Sequence, residues 1–138
     1  LCPSNFTQLT ISSYLADQPW RDQIASFCDL YKVRRDAMLE SLEEHFPATA
    51  QWTKPGGGFY VWVTLPPEID TTALMPKAIV AKVAYVPGTA FYADGFGSWS
   101  LRLSYCYPTP ERIREGVKAL GGVIKQEMAS RKGFELKG

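Results

Sequence analysis

Between Gln18 and Phe46, apolar residues return at helical spacing: Ile24, Phe27, Cys28, Tyr31, Met38, Leu42 and Phe46. The spacing predicts one long helix over 18–46, and Pro47 ends it by pushing the residue before it out of helical conformation. Lys32, Arg34, Arg35, Asp36, Glu40, Glu43 and Glu44 fall on its polar side, a solvated face with local charge pairs. From Phe59 the period drops to two. Phe59, Val61, Val63 and Leu65 face one way and Tyr60, Trp62 and Thr64 the other, as a strand requires. Both faces are partly apolar, so the second side wants cover from a ligand, another domain or another subunit. Pro66 and Pro67 stop this strand, and Asp70 or Thr71 caps a helix running to about Val80. Pro76 counts against that helix, since a proline beyond the first turn removes a backbone donor and clashes with the preceding turn. Val83–Val86 reads as a short strand that Pro87-Gly88 turns into a loop holding Phe91, Tyr92, Gly95 and Gly97. In a third strand, Trp99–Tyr105, the residues Trp99, Leu101, Leu103 and Tyr105 oppose Ser100, Arg102 and Ser104. Thr109 caps a last helix opened by Pro110, with Ile113, Val117, Leu120, Ile124 and Met128 as its apolar stripe. Lys132 to Gly138 reads as a polar tail. The order helix, strand, helix, strand, strand, helix predicts an α+β domain, a small, mostly antiparallel sheet with helices packed on one face.

Composition narrows the classes. A chain of 138 residues is the size of one domain, and its hydrophobic fraction of 46% against 21% charged is that of a globular protein rather than a disordered one. Fifteen basic and fourteen acidic residues leave a net charge of +1, which makes no electrostatic case for nucleic acid or a membrane surface as partner. No apolar run approaches the roughly 18 residues of a membrane span, and no basic-then-apolar leader opens the chain. Cys2, Cys28 and Cys106 have neither metal nor redox spacing and read as reduced thiols. Together these point to a soluble, cytoplasmic protein. An opening at Leu1 rather than methionine reads as a cut from a longer chain.

Chemistry is sparse. His45 is the single histidine, at a helix end beside Pro47, so neither a histidine metal site nor a Ser/His/Asp triad is expected. No two carboxylates pair for acid–base work. Gly56-Gly57-Gly58 ahead of aromatics allows close backbone approach or positive φ. It matches neither phosphate-binding glycine pattern, and a flexible entry into a strand is an equal reading. Arg102, on the polar face of its strand, has the planar fork that holds a carboxylate by two parallel charge-assisted hydrogen bonds. From spacing alone, pairing with a surface acid is the commoner fate of such an arginine.

Three phrases in order change that balance: Pro55 to Trp62 (PGGGFYVW), Val86 to Tyr92 (VPGTAFY) and Leu101-Arg102-Leu103-Ser104. With Tyr31, Arg34, Arg35 and Asp36 upstream, they resemble the C-terminal domain of a fold-type I, class I/II aminotransferase dependent on pyridoxal phosphate, in the aminoadipate and kynurenine aminotransferase branch. The resemblance covers nearly the whole chain. It implies that residues 1–131 form the aminotransferase small domain, that 132–138 are a tail, and that the large domain binding pyridoxal phosphate is absent. It makes Arg102 the grip on the substrate carboxylate, with Tyr60 in the pocket wall and Gly58 beside it. No catalytic, cofactor-binding or metal-binding residue is implied in this chain: none of Lys32, Lys54, Lys77, Lys82 and Lys118 sits in the serine-rich phrase that presents the family's cofactor lysine. The whole protein is then expected to move an amino group from an amino acid to a 2-oxo acid as a homodimer, and the isolated piece to be inactive. Two other readings stay open. One is the effector-binding portion of a transcription regulator in which a winged-helix module precedes an aminotransferase-like domain, and the other is a free-standing α+β binding module.

Overall fold

The computed structural model describes residues 2–135, with side chains through residue 131. The position of Leu1 and the last three residues of the expected tail lie outside the described residues. The chain divides into two compact units, Leu1–Leu30 and Tyr31–Gly138.

In the first unit lies a helix that the hydrophobic pattern did not signal, α1 (Asn5–Asp17). Its apolar residues are spread around the helix and none is buried, so no stripe marks it. Gln18 closes it, its N–H donating to Tyr14 O. The long helix α2 (Trp20–His45) then begins after Pro19 and stops before Pro47, two residues inside the expected start and one inside the expected end. Only its C-terminal half buries side chains: Ala37, Met38, Ser41 and Leu42. Ile24 and Phe27, placed on the apolar stripe by spacing, are about half exposed, at 50% and 47%.

The second unit holds the sheet. Its strands are β1 (Gln51–Trp52), β2 (Tyr60–Thr64), β3 (Val86–Pro87) and β4 (Ser100–Ser104), in the order β1-β2-β4-β3 and antiparallel throughout. Strand β1 is two residues long, too short for alternation to reveal. The β2–β4 ladder is extended at both ends, where Tyr105 N–H donates to Phe59 O and Leu65 N–H to Trp99 O, so the pairing reaches the expected limits of both strands. Strand β3 starts three residues later than expected and takes in Pro87, because Val83 N–H is taken by Ala78 O in closing the preceding helix, the Tyr85 side chain turns inward to donate to Thr71 O, and Pro87 pairs with Leu101. Helix α3 (Thr71–Val80) forms despite Pro76. Asp70 caps it, its Oδ1 accepting from the N–H groups of Thr72 and Ala73 at 2.8 and 3.1 Å, while Leu74 and Ala78 are buried. Helix α4 (Pro110–Glu135) follows and includes 132–135, so the first residues assigned to the tail are helical.

All three helical faces of this unit meet one side of the sheet. Val61, Val63, Leu101 and Leu103 share a buried cluster with Ala37, Met38 and Leu42 of α2, Leu74 and Ala78 of α3, and Ile113, Val117, Leu120 and Ile124 of α4. The strand period of two therefore sends the intervening residues to the opposite face, away from the helices.

Candidate functional site

That opposite face carries Tyr60, Trp62 and Arg102. Arg102 lies near the middle of the sheet, directly across from Trp62 of β2 and from Val86 of β3. Its neighbours Leu101 and Leu103 are buried in the core and fix which way the arginine points. The guanidinium carbon stands over the Tyr60 ring at 4.0 Å from the centroid and over the Phe91 ring at 4.7 Å. Among the described residues the guanidinium has no ion-pair partner. The surface-acid pairing that spacing alone favoured is thus not what the fold builds. Arg102 is half-buried and Tyr60 exposed, a cation held against aromatic surface with its donors unspent on any acid.

Phe91 arrives on the 3₁₀ turn Gly88–Phe91 after β3. Gly88 is required there, because a Cβ would stand 2.3 Å from Gly97 O and 2.8 Å from Ser100 Cβ. Trp62 meets Phe91 edge-on at 5.3 Å and Tyr92 at 6.2 Å, so the second apolar face of β2 is partly covered from within the chain. Sequence reasoning named Phe91 and Tyr92 in a motif and gave them no role. Register would have brought Phe91 into view: with Trp62 and Val86 both opposite Arg102, the aromatic turn that follows β3 starts beside that pair.

Gly58 is not brought against Arg102 by any contact. It enters β2 two residues before Tyr60 with φ +88°, a left-handed backbone that glycine adopts without strain. The backbone of the glycine run is pinned from below. Arg35 donates to Pro55 O and Gly56 O at 3.4 and 3.3 Å while its Nη2 pairs with Asp36 at 2.6 Å. Tyr105 donates its hydroxyl to Gly57 O at 3.3 Å, and burial pushes that phenol above its ordinary value, with Arg35 acting against the shift. Tyr31 packs edge-on against Phe59 at 4.9 Å, and Arg34 donates to Cys106 O. The Tyr31-to-Asp36 phrase therefore works as an anchor for the glycine turn and the end of β4.

Among the described residues no cluster of three or more metal-ligating side chains occurs, and no helix is long and apolar enough to cross a membrane.

Residues 1–120 match the family described as Aminotransferase class I and II. The chain is 44% identical to aromatic-amino-acid aminotransferase 1 of Thermococcus litoralis over 93% of its own length and 31% of that protein. It is 33% identical to the uncharacterized HTH-type transcriptional regulator YdfD of Bacillus subtilis, over 93% of this chain and 26% of the regulator. Among solved structures it matches the multiple substrate aminotransferase of Thermococcus profundus with a TM-score of 0.81 at 45% identity, over 85% of this chain and 29% of that one. It matches the α-aminoadipate aminotransferase LysN of Thermus thermophilus, in complex with N-(5'-phosphopyridoxyl)-L-leucine, with a TM-score of 0.80 at 35% identity, over 83% and 30% of the two chains. The chain thus spans under a third of the length of these relatives.

Proposed function

The chain belongs to the class I and II aminotransferase family, and from that premise we propose that it is the substrate-carboxylate-binding, C-terminal part of a pyridoxal-phosphate-dependent aminotransferase that transfers an amino group from an amino acid to a 2-oxo acid. The observation that carries the reading is Arg102: an arginine in mid-sheet, backed by two aromatic rings and without an ion-pair partner among the described residues. A substrate α-carboxylate supplies the missing anion through two parallel hydrogen bonds. Holding it fixes which Cα–H bond stands ready for proton removal, and that positioning is the chain's contribution to the reaction. Tyr60 forms the wall behind the guanidinium, and Gly58 sets the turn that places Tyr60.

The candidate face itself offers no group suited to hold the cofactor. The site strands and the segment 83–117 contain no lysine, and the one carboxylate in the loop between β3 and β4, Asp94, accepts from Phe96 N–H. Pyridoxal phosphate is therefore assigned to the remaining two-thirds of the parent polypeptide, and the parent is taken to act as a homodimer. The match to LysN with its phosphopyridoxyl ligand supports use of the cofactor by the parent, and the coverage of under a third supports a parent longer than this chain.

The likeness to YdfD supports a second reading, in which the same face binds an amino-acid effector in a regulator. A winged-helix segment encoded upstream would select it.

In the full-length protein, Arg102→Ala should lower kcat/KM for α-amino acids by about 1.5–3 kcal/mol, roughly ten- to a hundred-fold. Arg102→Lys should recover little, because an ammonium lacks the fork. Unchanged efficiency in Arg102→Ala would remove the assignment.

A further inference from the structure

We propose that Phe91, braced by Trp62, is a positioning residue for Arg102, holding the guanidinium in the plane in which it meets a carboxylate. The inference rests on the reading of Arg102 as the carboxylate grip and adds a residue that acts through it.

A guanidinium is a flat group with weakly hydrated faces and its N–H donors around the edge. An aromatic ring against a face restrains the plane by cation–π attraction and leaves the edge donors available. The Arg102 guanidinium carbon lies over two rings, and they come from opposite sides of its strand. Tyr60 belongs to β2 on one flank, at 4.0 Å, and Phe91 to the turn following β3 on the other, at 4.7 Å. Tyr60 is set by the sheet itself. Phe91 lies outside the strands, yet three features tie it down. Pro87 pairs with Leu101, which fixes the start of the turn. Gly88 is packed so closely on Gly97 and Ser100 that no side chain fits. The Trp62 ring meets Phe91 at 82° and 5.3 Å, from the residue that stands directly across the sheet from Arg102. Phe91 is 45% exposed and outside the buried cluster, so this bracing is not explained by packing of the core.

Without the ring, Arg102 would sample rotamers that must be surrendered when a carboxylate binds, and restraint in advance removes that cost. Substrate keeps its carboxylate throughout the reaction. The benefit is then uniform across ground and transition states and appears in KM rather than kcat.

The test is steady-state kinetics on the full-length protein with its cofactor, using L-phenylalanine, L-2-aminoadipate, L-kynurenine and L-alanine as amino donors and 2-oxoglutarate as acceptor. For a donor that is turned over, Phe91→Leu should raise KM about 3- to 10-fold, with kcat changed less than about two-fold. Phe91→Tyr, which keeps a ring face, should recover most of the loss. In an Arg102→Ala background, Phe91→Leu should add nothing, since its partner is gone. A Phe91→Leu enzyme with unchanged KM, or one whose defect is as large without Arg102 as with it, overturns the positioning role while leaving the carboxylate grip intact. An Arg102→Ala enzyme with unchanged kcat/KM, or a wild-type enzyme that turns over none of these donors, overturns the grip and this inference with it. Partial misfolding would lower kcat at constant KM, the opposite split.

Discussion

Glu127 shows how a single side chain ties two helices of the second unit and what acid should do to them. Its carboxylate accepts from Lys77 Nζ at 2.5 Å, across from α3, and from Arg131 Nε at 2.9 Å, one turn along α4. These two hydrogen bonds, that of Lys77 foremost, hold the carboxyl below its ordinary value. A carboxyl with a depressed folded pKa stabilises fully above its unfolded pKa and loses that stabilisation as pH falls through the folded one. Thermal melts should therefore show wild type above Glu127→Gln near neutrality, with the two converging at acid pH. Parallel curves throughout would mean that the pair is solvent-screened to insignificance. Arg102, by contrast, has no such acid partner among the described residues.

At the scale of elements, adjacent glycines in α4 separate packing from propensity. A Cβ on Gly121 would stand 2.5 Å from His45 O at the end of α2, whereas one on Gly122 would meet nothing within 4 Å. Gly122→Ala should stabilise by about 1 kcal/mol, since alanine is the better helix former. Gly121→Ala should destabilise by about 1–3 kcal/mol, because two helices must move apart. Urea midpoints of the two variants decide both statements, and equal shifts would contradict the packing. These elements differ in how openly the sequence announces them. Strands β2 and β4 were legible because Val61, Val63, Leu101 and Leu103 alternate strictly against polar or aromatic neighbours, and α4 because its stripe is complete from Ile113 to Ile124. Helix α1 was not, because a helix that buries none of its residues leaves no stripe. The exposed Ile24 and Phe27 show the converse: helical spacing reports a helix, and what covers its apolar side is a separate matter. On the candidate face, the motif singled out Arg102 and the place beside the glycines singled out Tyr60, and the fold brings the two together. Phe91 escaped because its position depends on pairing register, which no local pattern carries.

For the whole molecule the division of labour is the issue. A chain that spans under a third of its relatives, with no lysine on its site strands, should be a grip without a reaction centre. Mixed with pyridoxal phosphate and then desalted, the 138-residue chain should retain no cofactor absorbance in the visible range and should turn over no amino acid, while the full-length protein should do both. Retained absorbance with the short chain would mean that cofactor-binding residues lie within it. The most direct measurement of the central claim is a crystal structure of the full-length protein with an amino-acid substrate trapped on its cofactor. The account predicts both oxygens of the α-carboxylate within about 2.7–3.2 Å of the Arg102 guanidinium nitrogens, with the guanidinium carbon still over the Tyr60 and Phe91 rings. A carboxylate held by other residues, with Arg102 left on its rings and touching no substrate atom, would contradict it.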